Sequence, residues 1–325
     1  MSFDADLIVD RRRMRRKLTF WRVVTVLVVI VAVVGAGLAF SSRGPITGPG
    51  GGIARVNIEG LIRGSRDRTK ALERLAGSNV KAVIVHISSP GGTVAGSEEL
   101  YDSLIKVKAK KPMVVVVDGL AASGGYIAAM ASDRIVAQQS AIVGSIGVIF
   151  QYPNVTELLK TIGVQVETIK SSPLKAAPSG YEPTSPEARA AVEAIVKDSF
   201  DWFKGLVRDR RHLDDASLQK VSDGRVFTGR QAVELKLIDG LGDEETAIEW
   251  LAKEKNIDPK TPVRDYPLAP RFSDLPFLHV AALGVLDAVG LGGLAERVRE
   301  FGAVQAVERL NLDGLLALWH PPSSN

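Results

Sequence analysis

Val114-Val115-Val116-Val117-Asp118-Gly119-Leu120-Ala121-Ala122-Ser123-Gly124-Gly125-Tyr126 is the stretch on which the reading of this chain turns. Four consecutive β-branched residues suit a strand buried on both faces, the usual state of a parallel strand. The run passes into small residues, and from Tyr126 to Met130 the pattern is helical. Ser123 therefore stands where a buried strand becomes the start of a helix. The first N–H groups of a helix have no intrahelical partner and can hold negative charge that develops in a reaction. That placement suits a nucleophile. It also suits a plain N-cap serine followed by pliant glycines.

Working outward, strands and helices alternate. Ile53 to Ile62 alternates like a strand, Thr69 to Ala76 is helical, and Val80 to Ile87 is a second β-branched strand. Gly-rich Ser89-Pro90-Gly91-Gly92 leads into a helix from Val94 to Lys108, followed by the strand from Met113 and the Ser123 helix. Short strands are expected at 134–137 and 141–150, a helix at 154–162, and a strand at Val164 to Ile169. Ser185 to Arg211 reads as a long amphipathic helix with Pro186 in its first turn. Its expected stripe is Val192, Ile195, Val196, Phe200, Phe203 and Val207. This βαβ alternation predicts an α/β fold with a mainly parallel sheet.

The 325 residues are 46% hydrophobic and 24% charged, enough for one large domain or two small ones. The net charge of +4 gives no case for nucleic acid, because the basic residues gather in a block from Arg11 to Lys17. Val23 to Phe40 follows, with Thr25 its one polar side chain. At 1.5 Å per residue this run nearly crosses a hydrocarbon core of roughly 30 Å. Basic residues before the span predict a cytoplasmic N-terminus and an extracytoplasmic main domain. Gly37-Leu38-Ala39 is a tolerable cleavage site, but the run exceeds a signal-peptide core, so an uncleaved anchor is the better reading. The expected organisation is a basic N-terminus (1–22), an anchor (23–40), a Gly/Ser/Pro-rich linker (41–52), a catalytic domain (53–267) and an extension of unassigned role (268–325). Cysteine is absent, so neither disulfides nor thiolate chemistry enters.

Two glycine turns fall at the carboxyl ends of consecutive strands, the edge where parallel α/β sheets build sites. Pro90-Gly91-Gly92 leaves room for a substrate backbone, and the N–H groups of Gly92 and Gly124 could form an oxyanion hole. The segment has neither a P-loop Gly-Lys-Ser/Thr nor a full Gly-x-Gly-x-x-Gly, which weakens a phosphate-binding reading. An extended substrate could pair with the backbone from Gly91 to Thr93. A serine nucleophile needs a base. His86 lies in a buried-type strand and reads as a core residue. His212 follows a charged helix end, and His279 and His320 lie in the weakly patterned tail. A lysine whose amine is desolvated is the alternative base. Lys170 and Lys175 both follow the strand expected at 164–169, and the residues alone do not choose between them.

Ser88-Ser-Pro-Gly-Gly, Ala121-Ala-Ser-Gly-Gly-Tyr, Val143-Gly-Ser-Ile-Gly-Val-Ile, Glu167-Thr-Ile-Lys-Ser and Asp223-Gly-Arg-Val-Phe-Thr-Gly-Arg-Gln-Ala, in that order, resemble the signal peptide peptidase A family, peptidase family S49, in its short form. The resemblance covers roughly residues 53–250. It implies a ClpP/crotonase-like α/β fold behind one N-terminal transmembrane helix. By matching position it implies Ser123 as nucleophile, Lys175 as general base, Ser145 as a residue orienting that lysine, and Gly92 and Gly124 as oxyanion donors. Lys175 stands in Ser-Pro-Leu-Lys, where the family more often has Gly-x-x-Lys. The implied activity is that of a membrane-anchored serine endopeptidase degrading remnant signal peptides and other short or unfolded peptides. No metal or cofactor is implied. The implied assembly is a homo-oligomeric ring in which serine and lysine can come from neighbouring subunits. Two rivals share the strand–glycine-loop–helix plan: a crotonase-type acyl-CoA enzyme and a non-catalytic membrane scaffold.

Overall fold

In the computed structural model the described residues are Trp21, 51–268 and, as backbone, 315–318. The expected anchor at 23–40, His279 and His320 lie outside them. Among the described residues no helix is long and apolar enough to cross a membrane. Residues 51–268 and 315–318 belong to one compact unit, and every element below lies in it.

The alternation is as read. β1 (Ile53–Ile62), α1 (Arg66–Gly77), β2 (Ala82–Thr93), α2 (Val94–Lys108), β3 (Met113–Ala122), α3 (Gly124–Ala129) and β4 (Arg134–Ala137) follow one another. β5 (Ile142–Gly144), β6 (Ile149–Phe150), α4 (Thr156–Thr161), α5 (Pro186–Arg211) and α6 (Asp215–Val221) come next. β7 (Val226–Thr228), α7 (Gly229–Glu234), β8 (Gly240–Leu241), α8 (Glu244–Lys255), β9 (Val263–Asp265) and β10 (Leu315–Leu318) complete the order. The sheet runs β9-β1-β2-β3-β4-β8, with every neighbour in that row parallel. β5 joins the far end of β3 in parallel and carries β7 antiparallel on its other side.

The valine run explains the middle of the sheet. Val115 and Val117 lie in the larger core with Leu72, Leu75, Leu104 and Phe203. Val114 and Val116 face the other way, into a smaller core with Ala247 and Leu251 of α8. Each buried valine contributes about 1.5–3 kcal/mol relative to exposure. Alternate residues serve opposite layers, so the run needs no polar positions.

β2 and β3 are longer than their apolar runs. Ser88–Thr93 and Asp118–Ala122 continue as strand, with register shifts at Glu59/Leu61 and Ile87/Ser89. Bulges let a sheet carry glycine-rich sequence that reads as a turn. Gly92 is the tightest point. A Cβ there would meet the Ile62 carbonyl oxygen at 1.8 Å. Gly92→Ala is expected to push β1 off β2 at that end and destabilise the domain by about 1–3 kcal/mol, read as a lowered urea midpoint.

The strand expected at Val164 to Ile169 is not formed. The segment is irregular and exposed, and Ile169 is fully so. β-propensity needs a partner edge, and no described strand supplies one. α5 begins as expected, with Ser185 accepting from the Ala188 N–H and Pro186 in the first turn. Its stripe is buried only at Phe203 and Val207, while Ile195 stays 51% exposed.

His86 is not a packed core residue. Its Nδ1 lies 2.9 Å from Asp118 and its Nε2 2.8 Å from Glu244. Glu244 also accepts two 2.6 Å hydrogen bonds from Arg55, so α8 is clasped to this face of the sheet. The Arg55 hydrogen bonds hold the Glu244 carboxyl below the usual range against its desolvation, and His86 adds to the effect. A depressed folded value stabilises the fold above the unfolded carboxyl's titration near pH 4.3, and that gain fades as pH falls through the folded value. Glu244→Gln is therefore expected to lower the urea midpoint at pH 7. Below about pH 4 its gap from wild type is expected to close.

Candidate active site

β3 ends at Ala122 and delivers Ser123 into the turn before α3. The turn is pinned by its own backbone. The Ser123 N–H donates to the Gly144 carbonyl at 2.7 Å. Its carbonyl accepts from the Tyr126 and Ile127 N–H groups at 2.9 and 3.0 Å. Its φ of 53° and ψ of −116° suit glycine better than serine. Such a conformation costs about 1–3 kcal/mol and persists where the surroundings over-determine it.

The hydroxyl is the unusual part. Ser123 is 1% exposed, yet its Oγ has no hydrogen-bond partner among the described residues. It does not cap α3 either. The plain N-cap reading therefore fails. Buried hydroxyls are ordinarily satisfied, since an orphan costs about 1–3 kcal/mol. A strained strand-to-helix turn that holds a free serine hydroxyl is the arrangement of a nucleophile elbow.

The walls come from two other segments. Gly144 (φ 103°) supplies the carbonyl that fixes Ser123. Ser145 comes next, buried, with φ 52° and its N–H on the Arg225 carbonyl at 2.8 Å. The Asp223-Gly-Arg segment thus braces Ser145, and Ser145 follows the residue that braces Ser123. On the other side stands Ser89, fully buried, whose Oγ donates to the Gly60 carbonyl at 2.6 Å and accepts from the Gly91 N–H at 3.1 Å. A Cβ on Gly125 would fall 2.7 Å from the Ser89 carbonyl oxygen. Gly124 and Gly125 open α3, where N–H groups lack intrahelical acceptors. Gly92 lies just beyond Ser89, at the same end of β2.

Ser89 and Gly125 were given no role in the sequence reading. Ser89 holds the bulge that carries Gly91 and Gly92, and Gly125 lets the nucleophile turn lie against it. The signal was present in both glycine motifs, but their mutual contact is a tertiary fact.

No described group, Lys175 included, makes a hydrogen bond to the Ser123 hydroxyl. Lys175 lies exposed in the segment that follows the unformed strand. Its neighbourhood exposes Ile162, Val166, Ile169 and Leu174. Lys170 is already paired with Glu182. A cavity of about 710 Å³ opens beside Ser145, lined by Ile146, Val148, Ile149, Val196 and Phe200. Another, of about 550 Å³, lies by the C-terminal end of α5. There Arg210 already donates to the Met130 and Ser132 carbonyls and Arg211 to Asp239. Among the described residues no group of three or more His, Asp or Glu side chains could hold a metal ion.

The sequence profile described as peptidase family S49 matches residues 105–258, a span that includes Ser123, Ser145 and Lys175 and begins after Gly92. A Synechocystis sp. protein named as a protease is 39% identical over 209 residues, 64% of this chain and 76% of that protein. An Enterococcus faecium protein named as a signal peptide peptidase, SppA, is 36% identical over 183 residues. That match covers 56% of this chain and 53% of the relative. Among solved structures, a ClpP1 mutant from Listeria monocytogenes aligns with a TM-score of 0.40 at 18% identity, covering 58% of this chain and 91% of that one.

Proposed function

Because the chain belongs to peptidase family S49 and is a serine peptidase, we propose that it cleaves peptide bonds with a Ser123–Lys175 dyad. The observation that carries this reading is the buried, unpartnered hydroxyl of Ser123 on a strained turn. The uncharged amine of Lys175 takes the proton from Ser123 Oγ as that oxygen attacks the peptide carbonyl. The N–H groups of Gly92 and Gly124 hold the tetrahedral oxyanion. Lys175 returns the proton to the leaving amine, and water, deprotonated in turn by Lys175, releases the acyl group and restores the serine. Ser145, beside the residue that anchors Ser123, orients the lysine.

An exposed lysine is a poor base, because water stabilises its ammonium. The apolar side chains around Lys175 support burial of this arm against a second copy, in a ring where the lysine of one subunit serves the serine of the next. The ClpP/crotonase-like class follows from the family and accords with the parallel sheet. Residues 23–40 anchor the enzyme in the plasma membrane with the catalytic domain outside the cytoplasm. Its substrates are apolar peptides, remnant signal peptides and unfolded segments. The cavity beside Ser145 suits apolar side chains, and the anchor raises the local concentration of peptides left in the bilayer.

The test is a serine-directed fluorophosphonate probe on the assembled protein, wild type beside Ser123→Ala. Labelling of wild type alone is expected. A folded wild type that takes no label would remove the peptidase reading and leave a scaffold.

A further inference from the structure

The cavity of about 550 Å³ by the C-terminal end of α5 takes no part in the chemistry proposed above. Four segments close on it: the last residue of α2, the foot of α3 from Met130 to Asp133, the end of α5, and the turn from Lys236 to Asp239.

The carboxylates on its wall are already matched. Lys108 lies 3.5 Å from Asp133, and Arg211 lies 2.8 Å from Asp239. Asp209 is held at 3.0 Å by Arg208, which is not on the wall. Two cations are left over. Arg210 donates its Nε–H to the Met130 carbonyl at 2.7 Å and its Nη2–H to the Ser132 carbonyl at 2.8 Å, so its charge meets no carboxylate. Lys236 makes no hydrogen bond or ion pair among the described residues. Asp214 feels its charge, but as the weakest of the influences on that carboxyl. The carbonyl ends of α5 and α3 answer part of the surplus. A full helix end carries about half a charge, and six-residue α3 carries less, so roughly one unit of positive charge stays unanswered. The Arg208 carbonyl at the end of α5 is itself occupied by the His212 and Leu213 N–H groups.

Arg210 is built to receive an anion. Its Nη1 donors have no partner among the described residues, while the two carbonyl bonds fix the guanidinium plane. A side chain already fixed loses little freedom on binding. A guanidinium fork beside a lysine point charge matches phosphoryl oxygens. The cavity is far larger than a bare ion needs and lies within the roughly 300–1,000 Å³ usual for small-molecule sites. Val233 and Ile238 give it an apolar wall.

We propose that this cavity binds a phosphate ester, with Arg210 and Lys236 on the phosphoryl oxygens and the organic part against Val233 and Ile238. The phosphate arrives on a small soluble ester or on a lipid headgroup. Arg210 then joins the ligand to the foot of α3, the helix that begins beside Ser123. Binding here does not require that Ser123 cleave peptides.

The experiment titrates the full chain by calorimetry with two probes, glycerol phosphate and a water-soluble dibutyryl phosphatidic acid. Wild type is compared with Lys236→Gln, which removes the charge, and Lys236→Arg, which keeps it. Wild type is expected to bind at least one probe. Lys236→Gln is expected to bind it about 10-fold more weakly or worse, the loss of one charged hydrogen bond, and Lys236→Arg to stay close to wild type. Preference for glycerol phosphate would assign a soluble ester, and preference for the phosphatidic acid would assign a headgroup. Either supports the site. A wild type that binds neither probe would overturn it. Equal binding by wild type and Lys236→Gln would place the phosphate elsewhere on the chain and overturn it too.

Discussion

Ser123→Ala is expected to lower kcat for peptide hydrolysis by at least about 10³-fold while the protein remains folded. The size follows from the chemistry, since no other described hydroxyl lies unpartnered on the turn between β3 and α3. The folding outcome follows from the geometry. The hydroxyl makes no hydrogen bond, so its removal leaves no partner stranded. Every bond that holds the turn belongs to the main chain, to Gly144, Tyr126 and Ile127, and alanine keeps them all. The melting temperature of Ser123→Ala is therefore expected to equal or slightly exceed that of wild type. Ser123→Gly separates strain from chemistry. Glycine adopts φ 53° and ψ −116° without penalty, so this variant is expected to be equally inactive and about 1 kcal/mol more stable. A Ser123→Gly protein less stable than wild type would show that the turn is not strained. A Ser123→Ala protein that hydrolyses peptide normally would remove Ser123 from the reaction.

The parallel sheet and its helices were legible because burial on both faces leaves a mark in the residues themselves. Val114–Val117 is β-branched at every position because α8 covers one face and the larger core the other. The helix from Val94 to Lys108 was legible from its pattern, and the structure adds a cap, Thr93 accepting from the Gly96 N–H. Where the sheet departs from regular strand, the sequence misled. Ser88–Thr93 looks like a turn because bulged strand and turn use the same glycines. Val164–Ile169 looks like a strand because propensity does not say whether an edge is available. The site was legible as motifs and not as contacts. Ser123 stood out at a strand-to-helix passage, whereas the packing of Gly125 on Ser89, and the chain from Asp223-Gly-Arg through Ser145 to Gly144, join segments far apart in sequence. His86 shows the same limit. An apolar strand around it suggested core, and only the sheet brings Asp118 and Glu244 to its two nitrogens. The pairing of β10 with β2 had no signal in the weakly patterned tail.

Lys175→Ala and Ser123→Ala are each expected to be inactive alone and to regain activity when the two proteins are co-assembled. Loss of a general base alone lowers rates by about 10²–10⁴-fold. The case for recovery lies in what a single chain exposes. Ser123 is buried with its hydroxyl free, whereas Lys175 stands in solvent among exposed Ile162, Val166, Ile169 and Leu174. An arm with that surface is stable in water only if something covers it. A neighbouring copy that covers it also desolvates the lysine and favours the uncharged amine a base requires. In a ring joined head to tail, each site then takes its serine from one subunit and its lysine from the next. Random mixing of the two variants gives about one intact site in four, so roughly a quarter of wild-type activity is expected after subunit exchange. No recovery, with exchange verified by mass, would place both groups in one chain and require the arm to fold back onto Ser123. Full activity in Lys175→Ala alone would move the base elsewhere. Lys170 is the nearest alternative in sequence, but its pairing with Glu182 holds that carboxyl below the usual range. Lys170 could act only after Glu182 let go, whereas Lys175 needs only to be covered.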